Sequence, residues 1–201
     1  MSYSMKVDLG FVFALSMEAA GLVDLLEDCV TTKGNGRVFH RGKLKETSIA
    51  IVESGIGQEK AASATCALLD IFYPEFIISA GYAGGLVPEL KRFDILQPEL
   101  LLRKSDGITI DIANNTPRII KKIIDNNNKT NSEQSETTQQ NIVTKKQITL
   151  VTADQPIETT AQKLLLGEMS SAVLVDMETF AVAEACINWC NEKGANRIVQ
   201  F

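Results

Sequence analysis

Twice in this chain an apolar run of strand length ends in a glycine-rich turn, and that repetition constrains the fold more than any other feature. Residues 48–53 lead into Ser54-Gly55-Ile56-Gly57, and Phe76-Ile77-Ile78-Ser79-Ala80 leads into Gly81-Tyr82-Ala83-Gly84-Gly85. A turn between a strand and a helix aims backbone N–H groups at the carboxyl edge of a sheet, where polar or anionic ligands bind. Two such turns wall a single crevice, and their small residues let a flat ligand approach the backbone. The first turn alone is equally readable as architecture, and the second has a tight crossover with no ligand as its alternative. Neither is a dinucleotide fingerprint, because Lys60 takes the place of the third glycine, and no phosphate loop ending in Gly-Lys-Ser/Thr occurs.

Around these turns short apolar runs alternate with helical patterns, which favours an α/β layer architecture. Residues 7–14 read as a buried strand and 16–28 as a helix. Residues 38–44 and 48–53 read as strands joined by the turn Lys45-Glu46-Thr47. Over 58–72 a helix places Ala61, Ala62, Thr65, Leu68, Leu69 and Phe72 on one face, and Pro74 closes it. Residues 95–102, 148–152 and 172–175 are expected as strands, and 159–168 and 179–193 as helices. Gly194 is expected to end the last helix, before a final strand at 197–201. The Asn-, Gln- and Ser-rich stretch at about 125–146 reads as a polar mobile insertion within a single domain spanning 1–201.

Composition removes several classes of function. The apolar fraction of 45% and charged fraction of 22% over 201 residues are those of a soluble globular chain. A net charge of -5 offers no basic footprint for nucleic acid. No run is long enough to span a bilayer, and the N-terminus passes straight into a strand, so no membrane association and a cytoplasmic location are expected. Cys29, Cys66, Cys186 and Cys190 lack C-x-x-C spacing and read as free thiols in a reducing compartment. With no histidine placed to complete a zinc set, neither a metal nor a cofactor is expected. His40, the sole histidine, has no Ser or Cys partner placed by motif and reads as a satisfied structural residue; Trp189 reads as core.

Two carboxylates fall at the carboxyl ends of expected strands, beside the glycine turns. Glu18 follows the first strand, and Glu178 follows residues 172–175. Each is, on local grounds, simply an acid at a helix start, favoured by the helix dipole. Converging at one crevice, the pair suits glycosidic cleavage: one carboxylate activates water while another group holds sugar hydroxyls as the ring gains positive charge.

These residues resemble a known family. Ser54-Gly55-Ile56-Gly57 with the Ala-rich helix behind it, Pro74, residues 77–86 and Lys91-Arg92-Phe93-Asp94-Ile95 follow the order of the most recognisable block of the nucleoside phosphorylase and nucleosidase family. Val175-Asp176-Met177-Glu178 resembles its second signature, and residues 14–18 its first-strand exit. The resemblance implies a three-layer α/β/α fold with a twisted mixed sheet. It further implies cleavage of the N-glycosidic bond of a purine nucleoside or thionucleoside, in a homo-oligomer. By match, Glu18 activates the attacking water, Met177 packs on the ribose and Glu178 accepts hydrogen bonds from the 2′ and 3′ hydroxyls. Asp176, Ile56, Gly81, Tyr82, Ala83 and Gly84 line the sugar and base pocket, with Ile157 near the base.

The match also sets alternatives. Phosphorolysis needs cationic groups for phosphate; the glycine motifs carry none, and Arg37, Arg41 and Arg92 lie outside them, so hydrolysis is favoured. Tyr82 replaces a small hydroxyl residue, and Pro156 stands where an aromatic base-stacking residue is common. The sequence ends at Phe201, where the family continues to a Ser-Asp pair whose Asp protonates the purine. Asp154 and Asp176 are the candidates to substitute. A nucleoside-binding protein without turnover is the competing expectation, and a generic nucleotide-binding domain a weaker one.

Overall fold

The computed structural model describes residues 6–34, 36–112 and 148–193. The insertion expected at 125–146, the Gly194 helix end and the strand expected at 197–201 lie outside the described residues. The first half of the chain runs β1 (Leu9–Phe13), α1 (Ser16–Val23), β2 (Glu27–Gly34), β3 (Arg37–Leu44), β4 (Thr47–Glu53), α2 (Gln58–Phe72) and β5 (Phe76–Ser79). The second runs β6 (Gly84–Gly85), β7 (Leu100–Arg103), β8 (Thr109–Asp111), β9 (Thr149–Thr152), α3 (Thr160–Ser170), β10 (Leu174–Asp176) and α4 (Thr179–Lys193).

The architecture is α/β with mixed sheets, as the alternation of runs predicts. Among the described residues, hydrogen bonding gives two five-stranded sheets, ordered β2-β3-β4-β1-β5 and β6-β10-β9-β7-β8. In the first, β1 lies parallel between β4 and β5, while β2-β3-β4 is an antiparallel meander. Period-two alternation sorts the strand residues onto two faces. Leu9 and Phe13 join Ile49, Ile51, Ala19 and Leu26 on the α1 side. Val12, Ala50 and Val52 face Ala61, Ala64, Leu68, Val182, Cys186 and Trp189 of α2 and α4. Close approach of α2 to β1 depends on Gly10, where a Cβ would meet Ile77 Cδ1 at 2.7 Å and Leu68 Cδ2 at 3.0 Å. The second sheet is likewise covered on both faces. Val151 and Val175 pack with Leu166 of α3, and Leu101, Leu150 and Leu174 pack with Phe180 and Ala183 of α4.

Two elements depart from their expected bounds by several residues, and β2 was not expected, each for an identifiable reason. Helix α1 stops at Val23 instead of continuing to 28, because Leu26 turns into the core and the chain returns as β2. All eight β2 residues are exposed, so the strand carries no apolar alternation to announce it. Strand β7 begins at Leu100, not 95: Pro98 has no N–H to offer a ladder. Residues 95–98 instead line a cavity. Helix α3 opens with a reciprocal capping box, Thr159 Oγ1 accepting from the Gln162 N–H and Gln162 Oε1 from the Thr159 N–H.

Candidate active site

A cavity of ≈ 380 Å³ opens where the two sheets part, at the carboxyl ends of β1, β4, β5 and β10. Its walls are apolar, with Val12, Ile77, Ile78, Leu101, Ile112, Leu150 and Leu174. Its polar side chains are Glu18, Ser54, Ser79, Tyr82, Gln97, Asp176, Glu178 and Thr179. No lysine or arginine is among the described residues that line it. Nor does any cluster of three or more His, Cys, Asp and Glu among the described residues form a metal-holding set.

Each glycine turn holds one of the two carboxylates. The Tyr82 N–H donates to Glu18 Oε1 at 2.9 Å, and the Gly57 N–H donates to Glu178 Oε1 at 2.7 Å. Glu18 Oε2 accepts from the Leu15 N–H at 2.9 Å, and Glu178 Oε2 from the Met177 N–H at 3.2 Å. These two N–H groups of the turns, read from sequence as donors at a ligand edge, are therefore engaged by the protein's own acids. Gly81 is required for the first contact: a Cβ there would lie 2.8 Å from Glu18 Oε1 and 3.0 Å from Cδ.

Asp176 serves the fold directly. Its Oδ1 accepts from the Thr152 hydroxyl at 2.6 Å and its Oδ2 from the Thr179 N–H at 2.7 Å, while Thr152 Oγ1 also accepts from the Phe180 N–H at 3.0 Å. The first turn of α4 is thereby satisfied and β9 is tied to β10. Burial pushes the Asp176 carboxyl above the usual range, against the pull of these hydrogen bonds. Burial likewise raises the Glu178 carboxyl; the negative charges of Asp176 and Glu18 add to it, and the Gly57 and Met177 N–H groups oppose it.

Of the residues singled out from sequence, Glu18, Asp176, Glu178, Gly81, Tyr82 and Ala83 line the cavity. Ile56, Gly84, Met177 and Ile157 do not. Ile56 is half exposed in the turn before α2. Gly84 pairs with Val175 in the second sheet, and Ile157 packs against the core beneath α3. Asp154 accepts from Gln58 Nε2 at 2.6 Å, outside the lining. His40 is buried with both ring nitrogens paired, and Trp189 is buried with its N–H on Asp70. Sequence reasoning missed the wall formed by residues 95–98 and the hydroxyl pair Ser79–Thr179 at 3.0 Å. A strand-terminal Ser two residues before the glycine turn was the available signal for that pair.

A family model described as the phosphorylase superfamily matches residues 8–187. A 5′-methylthioadenosine/S-adenosylhomocysteine nucleosidase of Colwellia psychrerythraea is 39% identical over 87 residues, covering 43% of this chain and 36% of that protein. The nucleosidase of the same description from Buchnera aphidicola is 27% identical over 184 residues, covering 89% of this chain and 78% of that one. Among solved structures, a variant of the Helicobacter pylori nucleosidase with 5′-methylthioadenosine in its active site superposes with a TM-score of 0.72 at 22% identity, over 92% of this chain and 81% of that chain.

Proposed function

This chain belongs to the phosphorylase superfamily, and we propose that it hydrolyses the N-glycosidic bond of a purine nucleoside, a 5′-thioadenosine being the first to test. The observation that carries this reading is the pair of carboxylates on one cavity, each held by the N–H of a different glycine turn. Glu18 is the general base. Its two N–H partners orient the carboxylate while lone pairs remain to take a proton from water. Glu178 is the sugar-binding acid, accepting hydrogen bonds from the 2′ and 3′ hydroxyls, and its negative charge favours the oxocarbenium character of the transition state. The apolar walls suit a purine face or a 5′-alkylthio group.

Hydrolysis is favoured over phosphorolysis by charge. Three carboxylates and no cationic side chain stand among the described lining residues, and a phosphate dianion there would meet repulsion without a partner. The reading extends to a reducing, cytoplasmic setting, supported by four free cysteines. It also extends to a homo-oligomer, supported by the exposed apolar residues Met17, Tyr82 and Ile95 at and beside the cavity. No helix among the described residues is long and apolar enough to cross a membrane.

The test is chromatographic detection of free base after incubation with purine nucleosides, with and without phosphate. Release without phosphate, abolished in Glu18→Gln, is the expected outcome. Release only with phosphate transfers the reading to phosphorolysis. Calorimetric binding without release makes the cavity a nucleoside-binding site and sinks the hydrolase assignment.

A further inference from the structure

Helix α1 begins badly for a helix that carries a general base. Its N-cap is Leu15, which has no side-chain acceptor, and Glu18 itself reaches back to satisfy the Leu15 N–H. A carboxylate that takes up a proton becomes a poorer acceptor, so both N–H groups holding Glu18 loosen at the step that needs it in place. The turn therefore requires an anchor that does not depend on the charge of Glu18.

Such an anchor is present. The Ser16 hydroxyl donates to Glu53 Oε2 at 2.6 Å, Glu53 Oε1 meets His40 Nε2 at 2.9 Å, and His40 Nδ1 meets Thr31 Oγ1 at 2.9 Å. An ionised carboxylate only accepts, so Nε2 carries a proton toward Glu53, and the Thr31 hydroxyl turns to suit Nδ1. His40 is 8% exposed and the Glu53 side chain 15%, so water competes little for the bond between them, while Ser16 reaches Glu53 from the exposed start of α1. Glu53 ends β4, immediately before Ser54, whose N–H donates to the Phe13 carbonyl at 2.8 Å. The tether thus ties the exit of β1 to the exit of β4. It is not a serine-hydrolase triad, because the serine hydroxyl bonds the carboxylate and the imidazole lies beyond it, out of line to take the hydroxyl proton.

We propose that Ser16, Glu53 and His40 form a positioning unit that keeps Glu18 in register while it is protonated. The proposal rests on the hydrolase reading above for its kinetic consequence, and on geometry alone for its structural one.

Ser16→Ala, Glu53→Gln and Ser16→Thr are to be compared with the wild type in two readouts. The first is kcat and KM for the nucleoside that the wild type cleaves. The second is the pH titration of the Tyr82 amide resonance, which reports the Glu18 carboxylate it bonds. Ser16 is exposed, so Ser16→Ala keeps the fold even if Glu53→Gln does not. We expect kcat to fall on the order of ten- to a hundredfold in Ser16→Ala with KM within about threefold, and Ser16→Thr to restore it. The Tyr82 titration amplitude should shrink in Ser16→Ala. Wild-type kcat in Ser16→Ala, or a Tyr82 titration unchanged from wild type, overturns the proposal. If the wild type releases no base, the hydrolase reading fails by itself; the Tyr82 titration still decides the positioning unit, its amplitude shrinking if the proposal holds.

Discussion

Gly81→Ala displaces Glu18 without altering any ionisable group. The added methyl would stand 2.8 Å from Oε1, 3.0 Å from Cδ and 3.1 Å from Oε2 of Glu18. Carbon atoms settle at about 3.5–4.0 Å from one another, so the carboxylate must retreat by roughly half an ångström or more. The contacted atoms are the end of a side chain, so the carboxylate yields, and the Gly81 φ of +159° adds some backbone strain to the substitution. The casualty is the bond from the Tyr82 N–H to Oε1, now 2.9 Å long. A hydrogen bond to a charged acceptor contributes about 1.5–3 kcal/mol. At about 1.36 kcal/mol per decade of rate, its loss at the reacting geometry lowers kcat by roughly ten- to 150-fold.

The assay is steady-state release of free base, with thermal unfolding measured in parallel. KM should stay within about threefold, because on the proposed reading Glu178 and the apolar walls, not Glu18, hold the substrate. The unfolding midpoint should drop by roughly 3–12 °C, the shift expected for the same loss of about 1.5–3 kcal/mol in a chain of this size. Unchanged kcat would refute the claim that the position of Glu18 sets the rate. A collapse in thermal stability would show that the backbone, and not the carboxylate, gave way.

Two further predictions concern the partly buried acids Glu178 and Asp176. The Glu178 carboxyl is raised by burial, so the native state binds its proton more tightly than the unfolded chain does, and stability falls as pH rises through the raised value. Glu178→Gln should therefore be more heat-stable than wild type at pH near 8, with the gap closing on acidification as wild-type Glu178 takes its proton; superimposable stability profiles would contradict this. Asp176→Ala removes the partner of the Thr152 hydroxyl and the Thr179 N–H together. At about 1–3 kcal/mol for each group left unsatisfied, chemical denaturation should show a loss of about 2–6 kcal/mol. A loss below about 1 kcal/mol would mean that water or a rotated Thr152 replaces the carboxylate.

Much of the fold was legible because burial writes itself into periodicity. The β3–β4 hairpin and the helices α2 and α4 are amphipathic or apolar over their whole lengths, and their observed bounds lie close to those read from sequence. Strand β2 was not legible: its pairing with β3 is a backbone matter, and a strand exposed at every residue leaves no mark on the apolar pattern. The same logic explains the cavity wall. Ile95 is 99% exposed and Leu96 partly buried, so the apolar stretch imitates a strand although Pro98 denies it a ladder. The strand order within the two sheets of the described residues was invisible as well, because it depends on which edges pair across long sequence separations.

The two glutamates were legible for a different reason, which bears on how the site is built. Each stands where local rules alone would choose another residue or leave it without a special task. Leu15 is a poor N-cap, yet the helix forms because Glu18 caps it; Glu178 is raised by burial and by two neighbouring carboxylates, yet the Gly57 and Met177 N–H groups hold it. Both acids thus anchor the junctions from which they project. A side chain committed in this way has few rotamers left to explore, which preorganises it and lowers the entropy lost on binding substrate. The same commitment couples chemistry to fold, since protonating Glu18 weakens the bonds that seat its own helix. A second tether through Ser16 resolves that conflict, and it lies on the one face of α1 where β4 offers a carboxylate already held by a buried histidine.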